Sequence, residues 1–286
     1  MSTPRQAPRR KRQPQVRGFL FDVDGTLLLS DRSLGGYELL PGAKELLEEL
    51  SRRGVPYGLL TNGSAYPPHE QAAKLRRSGL PIEDWQMMTP SSVAADHFVR
   101  KGHRKVLVLG SRGVGHALET AGLSTVFAGD ADAGSADAVY VGWHPDFGMK
   151  DIEAACAAIW AGAGFYTASD VPFFATKSGR SLGYSYAIVG AIGRMTGARA
   201  KVLGKPSLGA LRFVAKRLGI PPQTLGVVGD DPAVEGLMAR RGKATLFAVT
   251  TGTTSARDWR AQPLASRPHR ILDGLQDLLD HCLPFT

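Results

Sequence analysis

A chain of 286 residues, 43% of them hydrophobic, has room for one large domain or two smaller ones around a sizeable core. No apolar run approaches the length of a membrane span, and Cys156 and Cys282, the only cysteines, support no disulfide framework, so a membrane partner is not expected and a reducing cytoplasm is. The net charge of +9 is a weak sign of nucleic-acid binding, because much of it sits in residues 1–17, where Arg5, Arg9, Arg10, Lys11, Arg12 and Arg17 meet no acid.

That stretch carries Pro and Ala without apolar periodicity and reads as a disordered basic tail, not a secretory signal. Residues 19–26, Phe-Leu-Phe-Asp-Val-Asp-Gly-Thr, then read as a short buried strand ending in two carboxylates and a turn. Side chains two apart on extended backbone share a face. Asp22 and Asp24 are therefore expected side by side at the strand's carboxyl end, where open α/β sheets hold their ligands. Acids so close repel unless a proton or a cation separates them. An Asp-Gly hairpin turn would account for Asp24-Gly25 but not for Asp22.

Residues 27–37 read as connection, and Pro41-Gly42 opens a helix on which Ala43, Leu46, Leu47 and Leu50 recur until Gly54. The strand at 57–60 ends in Thr61-Asn62-Gly63-Ser64, where a hydroxyl and turn N–H groups could cradle an anion, although the same residues suit a plain turn. Helical patterns cover about 69–78 and 91–100. A fresh alternation starts with the strand 104–109. It continues through a helix near 115–121, a strand at 138–141, a helix at 150–161, a strand at 165–168 and a helix at 185–195. Strands then resume at 201–203, 225–229, 244–249 and about 269–272. The pattern predicts a second α/β unit, 102–198, inserted into a first made of 18–101 and 199–286.

Lys205, in Gly204-Lys205-Pro206-Ser207, precedes the helical pattern 208–218, where its charge opposes the helix dipole unless an anion is held there. In Gly229-Asp230-Asp231-Pro232, Asp231 can cap the helix that follows. Asp230 has no such task at its strand end, which suits a metal ligand. Glu235 lies beyond the reach of a capping box and could order metal-bound water.

Asp-Val-Asp-Gly-Thr, then Thr61, then Lys205, then Gly229-Asp230 with a further acid resembles the motif order of the haloacid dehalogenase-like superfamily. Thr61-Asn62-Gly63-Ser64, Ala73-Lys74-Leu75 and Gly204-Lys205-Pro206-Ser207 are similar to the branch of 4-nitrophenylphosphatases, phosphoglycolate phosphatases and pyridoxal phosphatases, with a class IIA cap. The resemblance covers about residues 18–260. It implies an α/β fold, a Rossmann-like doubly wound parallel core sheet with an inserted α/β cap domain. It further implies Asp22 as nucleophile and Asp24 as general acid/base, with Thr61, Asn62 and Lys205 on the phosphate. Mg²⁺ would be held by Asp22, Asp24 (through its backbone carbonyl) and Asp230, with Asp231 and Glu235 in support.

The implied activity is Mg²⁺-dependent hydrolysis of a small phosphorylated metabolite through a phospho-aspartyl intermediate, in a homodimer formed through the cap. Two segments depart from the branch. Ala168-Ser169-Asp170-Val171 stands where Thr-Asn-Pro-Asp is common, and Gly183-Tyr184-Ser185-Tyr186 stands where a Gly-rich turn is common. Asp170, Tyr184 and Tyr186 are accordingly the residues expected to face the substrate. Glu235 also replaces the more usual Asp. A phosphotransferase on the same site, and a non-enzymatic nucleic-acid-binding protein using the basic tail, stand as alternatives. Scattered histidines without an H-E-x-x-H pair argue against zinc. Trp85, Trp143, Trp160 and Trp259 read as packing residues.

Overall fold

The computed structural model describes residues 15–30, 36–176 and 179–281, so the expected tail lies outside it except for residues 15–17. The first part of the chain supplies β1 (Gly18–Phe21), β2 (Leu28–Ser30), β3 (Tyr37–Leu39), β4 (Tyr57–Leu60) and β5 (Met87–Met88). Next come β6 (Lys105–Leu109), β7 (Ser124–Val126), β8 (Ala138–Val141), β9 (Gly164–Thr167), β10 (Phe173–Thr176), β11 (Gly179–Leu182) and β12 (Lys201–Val202). The last are β13 (Leu225–Gly229), β14 (Thr245–Val249) and β15 (Arg270–Leu272).

They form a six-stranded sheet in the order β15-β14-β13-β1-β4-β5 and a five-stranded sheet in the order β12-β9-β8-β6-β7. Every pairing within both sheets is parallel. The α/β class with parallel sheets is thus as expected.

β1 is buried on both faces, which is why its sequence reads as an unbroken apolar run. Phe19 and Phe21 pack with Leu46, Leu47 and Tyr57 on one side of the sheet. Leu20 packs with Val214, Val227 and Trp259 on the other, following the two-residue period of a strand. The chain proceeds from β1 to β4 on one side and returns through β13 on the other. The strand order therefore reverses beside β1, which makes its carboxyl end the topological switch point.

Five short strands fall where no strand was expected besides β5: the hairpin of β2 and β3, which begins in the stretch 27–37 read as connection, and β7, β10 and β11 in the second part. The strand expected among those resuming the first unit, at 201–203, pairs instead with β9, Lys201 opposite Tyr166. The ladder carries on as Leu203 N–H donates to the Thr167 carbonyl at 2.9 Å and Gly204 N–H to that of Ala168 at 3.1 Å. Residues up to Gly204 thus follow the second sheet, past the expected boundary at 198. No helix among the described residues is long and apolar enough to cross a membrane.

His97 lies buried beside the second sheet with its ring edge-on to Phe98 and Tyr166, and its Nε2 has no hydrogen-bond partner among the described residues. Burial, assisted by nearby cations, lowers its pKa to about 4. The unfolded chain takes up this proton near the ordinary value of ~6.5, before the folded chain does. Stability is therefore full above that value and falls as pH drops through the window down to about 4. His97→Phe should flatten part of the fall in Tm between pH 7.5 and 4.5, measured by thermal melts. An unchanged slope would show that the ring contributes nothing to acid lability.

Candidate active site

The turn after β1 is shaped by Gly25, which sits at φ 85° where glycine is favoured. A Cβ there would also come within 2.7 Å of Asp230 Oδ2, so this glycine lets the first acidic loop lie against the last. Thr26 Oγ1 donates to Asp22 Oδ2 at 3.1 Å, and Lys205 Nζ donates to Asp22 Oδ1. The same ammonium contacts Glu235 Oε1 at 2.7 Å. Lys205 and Glu235 are 3% and 2% exposed, so this is a sealed triad.

Lys205 precedes the helix Leu208–Leu218 as its spacing suggested. The helix Leu208–Leu218 begins behind Ser207, whose side chain accepts from Ala210 N–H at 3.0 Å, and the lysine reaches the other way, to the acids. Asp231 caps as expected, accepting from Ala233 N–H at 2.7 Å before a π-helical turn, Pro232–Gly236. That turn carries Glu235 back under Lys205, with Glu235 Oε2 accepting from Asp231 N–H at 3.3 Å.

Asp230 is held by the residues after β14. Thr253 N–H donates to its Oδ2 at 2.6 Å, and a Cβ on Gly252 would overlap the same oxygen at 2.0 Å. Carboxylate oxygens of Asp22, Asp230 and Glu235 all lie within 4.8 Å of one another. Burial, followed by the neighbouring Asp22 charge, pushes Asp230 up. Burial likewise raises Glu235, against the pull of Lys205. Burial raises Asp24 to about 6, and its buried Oδ1 has no hydrogen-bond partner among the described residues. For Lys205, burial works to lower the pKa, but Asp22 and Glu235 outweigh it and keep the ammonium charged. Among the described residues here, one lysine is set against four acids.

Such a cluster, with hard oxygen donors and excess negative charge, fits a divalent cation such as Mg²⁺. The converging set contains Glu235, which the spacing suggested only as a support, and its side chain is shared with Lys205.

Thr61 is buried at the cleft, its Oγ1 accepting from Gly63 N–H at 2.9 Å. Asn62, expected to hold phosphate, lines the same cleft, and its side chain bonds the Lys205 backbone. Its Oδ1 accepts from Lys205 N–H at 2.9 Å and its Nδ2 donates to the Lys205 carbonyl at 3.0 Å. An amide presents one acceptor and one donor edge in the pattern an exposed peptide group offers, so the Asn62 side chain joins two chain segments. Ser64 Oγ accepts from Trp143 N–H at 2.9 Å, and Ser111 Oγ donates to the Ala65 carbonyl at 3.1 Å. These bonds tie the loop after β4 to the second sheet.

The cleft above the acids is bounded by Asp22, Asp24, Thr61, Lys205, Asp230 and Asp231 at its floor. Residues from the second part of the chain roof it. Of the three expected substrate-facing residues only Tyr184 lines it, and Asp170 and Tyr186 do not. Ser169 and Val171, on either side of Asp170 in the chain, line the cleft. Tyr186 sits two residues beyond Tyr184 on the helix Tyr184–Thr196, about half a turn away. Thr26, Thr253 and Trp143 were not anticipated. Thr26 could have been found as the hydroxyl next to the acidic pair. Thr253, in a threonine-rich stretch after a strand, carries no comparable signal.

A haloacid dehalogenase-like hydrolase family model matches residues 19–124, and a second, for HAD hydrolase-like chains, matches residues 202–278. The 5'-nucleotidase YutF of Bacillus subtilis is 28% identical over 93% of this chain and 98% of its own. Human chronophin is 27% identical, with 93% of each chain covered. The crystal structure of a glycerol phosphate phosphatase of Mycobacterium tuberculosis in complex with magnesium superposes with a TM-score of 0.80 at 25% identity, covering 92% of this chain and 76% of that one.

Proposed function

The chain belongs to the haloacid dehalogenase-like hydrolases, and from that premise we propose that it hydrolyses small phosphomonoesters through a phospho-aspartyl intermediate on Asp22, with Mg²⁺ as its metal. The observation that carries this reading is the buried cluster of Asp22, Asp230, Glu235 and Lys205 at the carboxyl end of β1, opening into a cleft. In this reading the unit built on the second sheet is a cap over the cleft, and it selects the substrate.

Asp22, the Asp24 backbone carbonyl and Asp230 would hold the metal, with Asp231 and Glu235 in support. When bound, it neutralises the acids and draws charge from the phosphoryl oxygens. Lys205 and Thr61 orient the phosphoryl group, and most of the catalytic effect comes from such positioning. Asn62 acts through its hold on the Lys205 backbone.

A carboxylate oxygen of Asp22 attacks phosphorus as the ester P–O bond breaks, and Asp24 gives its proton to the leaving alkoxide. The pKa of Asp24, raised to about 6 by burial, supports a carboxyl that can carry this proton. Asp24, now ionised, takes a proton from water, and that water oxygen attacks the acyl phosphate. Inorganic phosphate leaves and the Asp22 carboxylate is restored. The relatives' names, covering nucleotide, sugar and glycerol esters among others, support a small phosphorylated metabolite as substrate. A cytoplasmic setting and a homodimer through the cap belong to the same reading, the latter because Trp160 and Met195 stand exposed on that unit.

The test is phosphate release from 4-nitrophenyl phosphate and a panel of sugar and nucleotide monophosphates, with Mg²⁺ and with chelator. Turnover that the chelator removes and Mg²⁺ restores is expected. Folded protein that releases no phosphate from any of them, or releases it regardless of chelator, would contradict the proposal.

A further inference from the structure

The acids of the cleft, Asp22 and Asp230, stand at the carboxyl ends of β1 and β13. The amino ends lie one strand length away, roughly 13–17 Å, and there the chain gathers cations. Arg17 is exposed directly before β1, where its N–H donates to the Thr224 carbonyl at 2.8 Å. Gly18 pairs with Leu225 and Gly226 with Thr245, so Arg17 and Lys243 sit level, just before strands two places apart. Arg270 opens β15 at the edge of the sheet, opposite Phe247. Arg267 lies three residues earlier, and Arg240 Nη1 donates to Ser266 Oγ at 2.5 Å. That bond brings the helix Leu237–Gly242 against the same turn. All five cations are exposed.

Their charge is not used within the fold. Among the described residues none of the five has a carboxylate partner, and Arg240 and Arg267 touch neutral oxygens, of Ser266 and of the Gln262 carbonyl. Residues 236–272 hold seven basic side chains against one acid, Asp258. Arg240 suits the dipole of its own helix, as a basic residue in a last turn does. Arg17 and Arg270 stand at no helix end. Lys243 sits at φ 55°, in the left-handed region where a helix normally ends on glycine, so a lysine there works against the backbone. Five more basic residues, Arg5, Arg9, Arg10, Lys11 and Arg12, precede Arg17 in the sequence and are tethered to this edge.

We propose that this edge, made by Arg17, Arg240, Lys243, Arg267 and Arg270, is a docking surface for the phosphate backbone of nucleic acid, held without regard to base sequence. Three strand spacings separate β1 from β15, about 14 Å, and a duplex strand presents about four phosphates over that length. Four of the five cations are arginines, whose planar fork donates two parallel hydrogen bonds to phosphate oxygens. No Phe, Tyr or Trp among the described residues of 206–281 stands exposed, so bases have no such ring to stack on. Leu264 is the single large apolar side chain exposed among them, too little area to insert into a lipid surface. The docking surface is independent of the phosphatase reading, since the cleft opens at the other end of the sheet.

The test is fluorescence anisotropy of a labelled DNA duplex of mixed sequence, titrated with the full chain from about 50 to 200 mM salt. Arg17→Gln, Lys243→Gly, Arg267→Gln and Arg270→Gln are compared singly and combined. Each should flatten the slope of log K against log salt by about 0.9, and the combination should weaken binding at about 50 mM salt by about 10²-fold or more. Lys243→Gly separates binding from folding: glycine relieves the left-handed backbone, so Tm should hold or rise while affinity falls. As a control, Lys150→Gln, Arg194→Gln, Arg199→Gln and Lys201→Gln combined remove the same charge from the unit built on the second sheet. That set should stay within about threefold of wild type, because charges beyond about 10 Å are largely screened. Equal losses in the two sets would mean that net charge alone is at work, and would overturn the edge. Wild-type affinity in the edge variants, with loss only on replacing Arg5, Arg9, Arg10, Lys11 and Arg12, would also overturn it. So would the absence of duplex binding at about 50 mM salt, whether or not vesicles of equal phosphatidylglycerol and phosphatidylcholine are bound.

Discussion

Asp22→Asn is expected to lower kcat for phosphate release by on the order of 10⁴–10⁶-fold, the scale of losing a nucleophile, without unfolding the chain. An asparagine keeps the shape of the side chain and can still accept from Lys205 Nζ or Thr26 Oγ1. What it lacks is a carboxylate oxygen able to bond to phosphorus. The cluster also loses one negative charge, and Asp230, raised by burial and by the Asp22 charge, gains from its removal. Thermal stability at neutral pH should accordingly match or slightly exceed wild type. Phosphate release and a thermal melt on the same preparation check both halves, and more than about 1% residual kcat would argue against Asp22 as nucleophile.

Lys205→Met should be the most destabilising single change in the site. The lysine is the cation between Asp22 and Glu235, and all three are nearly sealed from solvent. Removing one partner of a buried ion pair costs about 3–5 kcal/mol, because the remaining charges are left without compensation. Glu235→Gln in the same background removes one of those charges. The double variant should therefore be more stable than the sum of the single effects by about 0.5–3 kcal/mol, the range for residues in direct contact. Urea unfolding of the four proteins measures this. A Lys205→Met variant within about 1 kcal/mol of wild type, or strict additivity, would mean the triad is weaker than its burial implies. Activity should fall in both Lys205 variants, since the same ammonium orients the phosphoryl group in the proposed reaction.

Much of this site was legible before any coordinates. Strand ends in parallel sheets are marked by abrupt changes from apolar to polar residues, and β1, β4 and β13 show this at Asp22, Thr61 and Asp230. Their order along the chain is enough to expect convergence at a switch point. Partners separated by long stretches of sequence were not legible. Lys205 meets Asp22 across 183 residues, and Asn62 meets the Lys205 backbone across 143. Nothing local in either segment encodes such a pairing. Small errors of phase also mattered in the roof of the cleft. Tyr184 and Tyr186 are alike in composition, yet the start of one helix decides which of them faces inward. Short strands such as β5 and β7 hold too few residues for their period to stand out.

The most direct test of the central claim is chemical trapping of the covalent intermediate. Borohydride added during steady-state turnover reduces an acyl phosphate to the corresponding alcohol, converting an aspartyl phosphate to homoserine. Mass spectrometry of the digest should then find homoserine at position 22, dependent on both substrate and Mg²⁺ and absent without either. Vigorous turnover with position 22 unmodified, or with the modification at Asp24, would contradict the account.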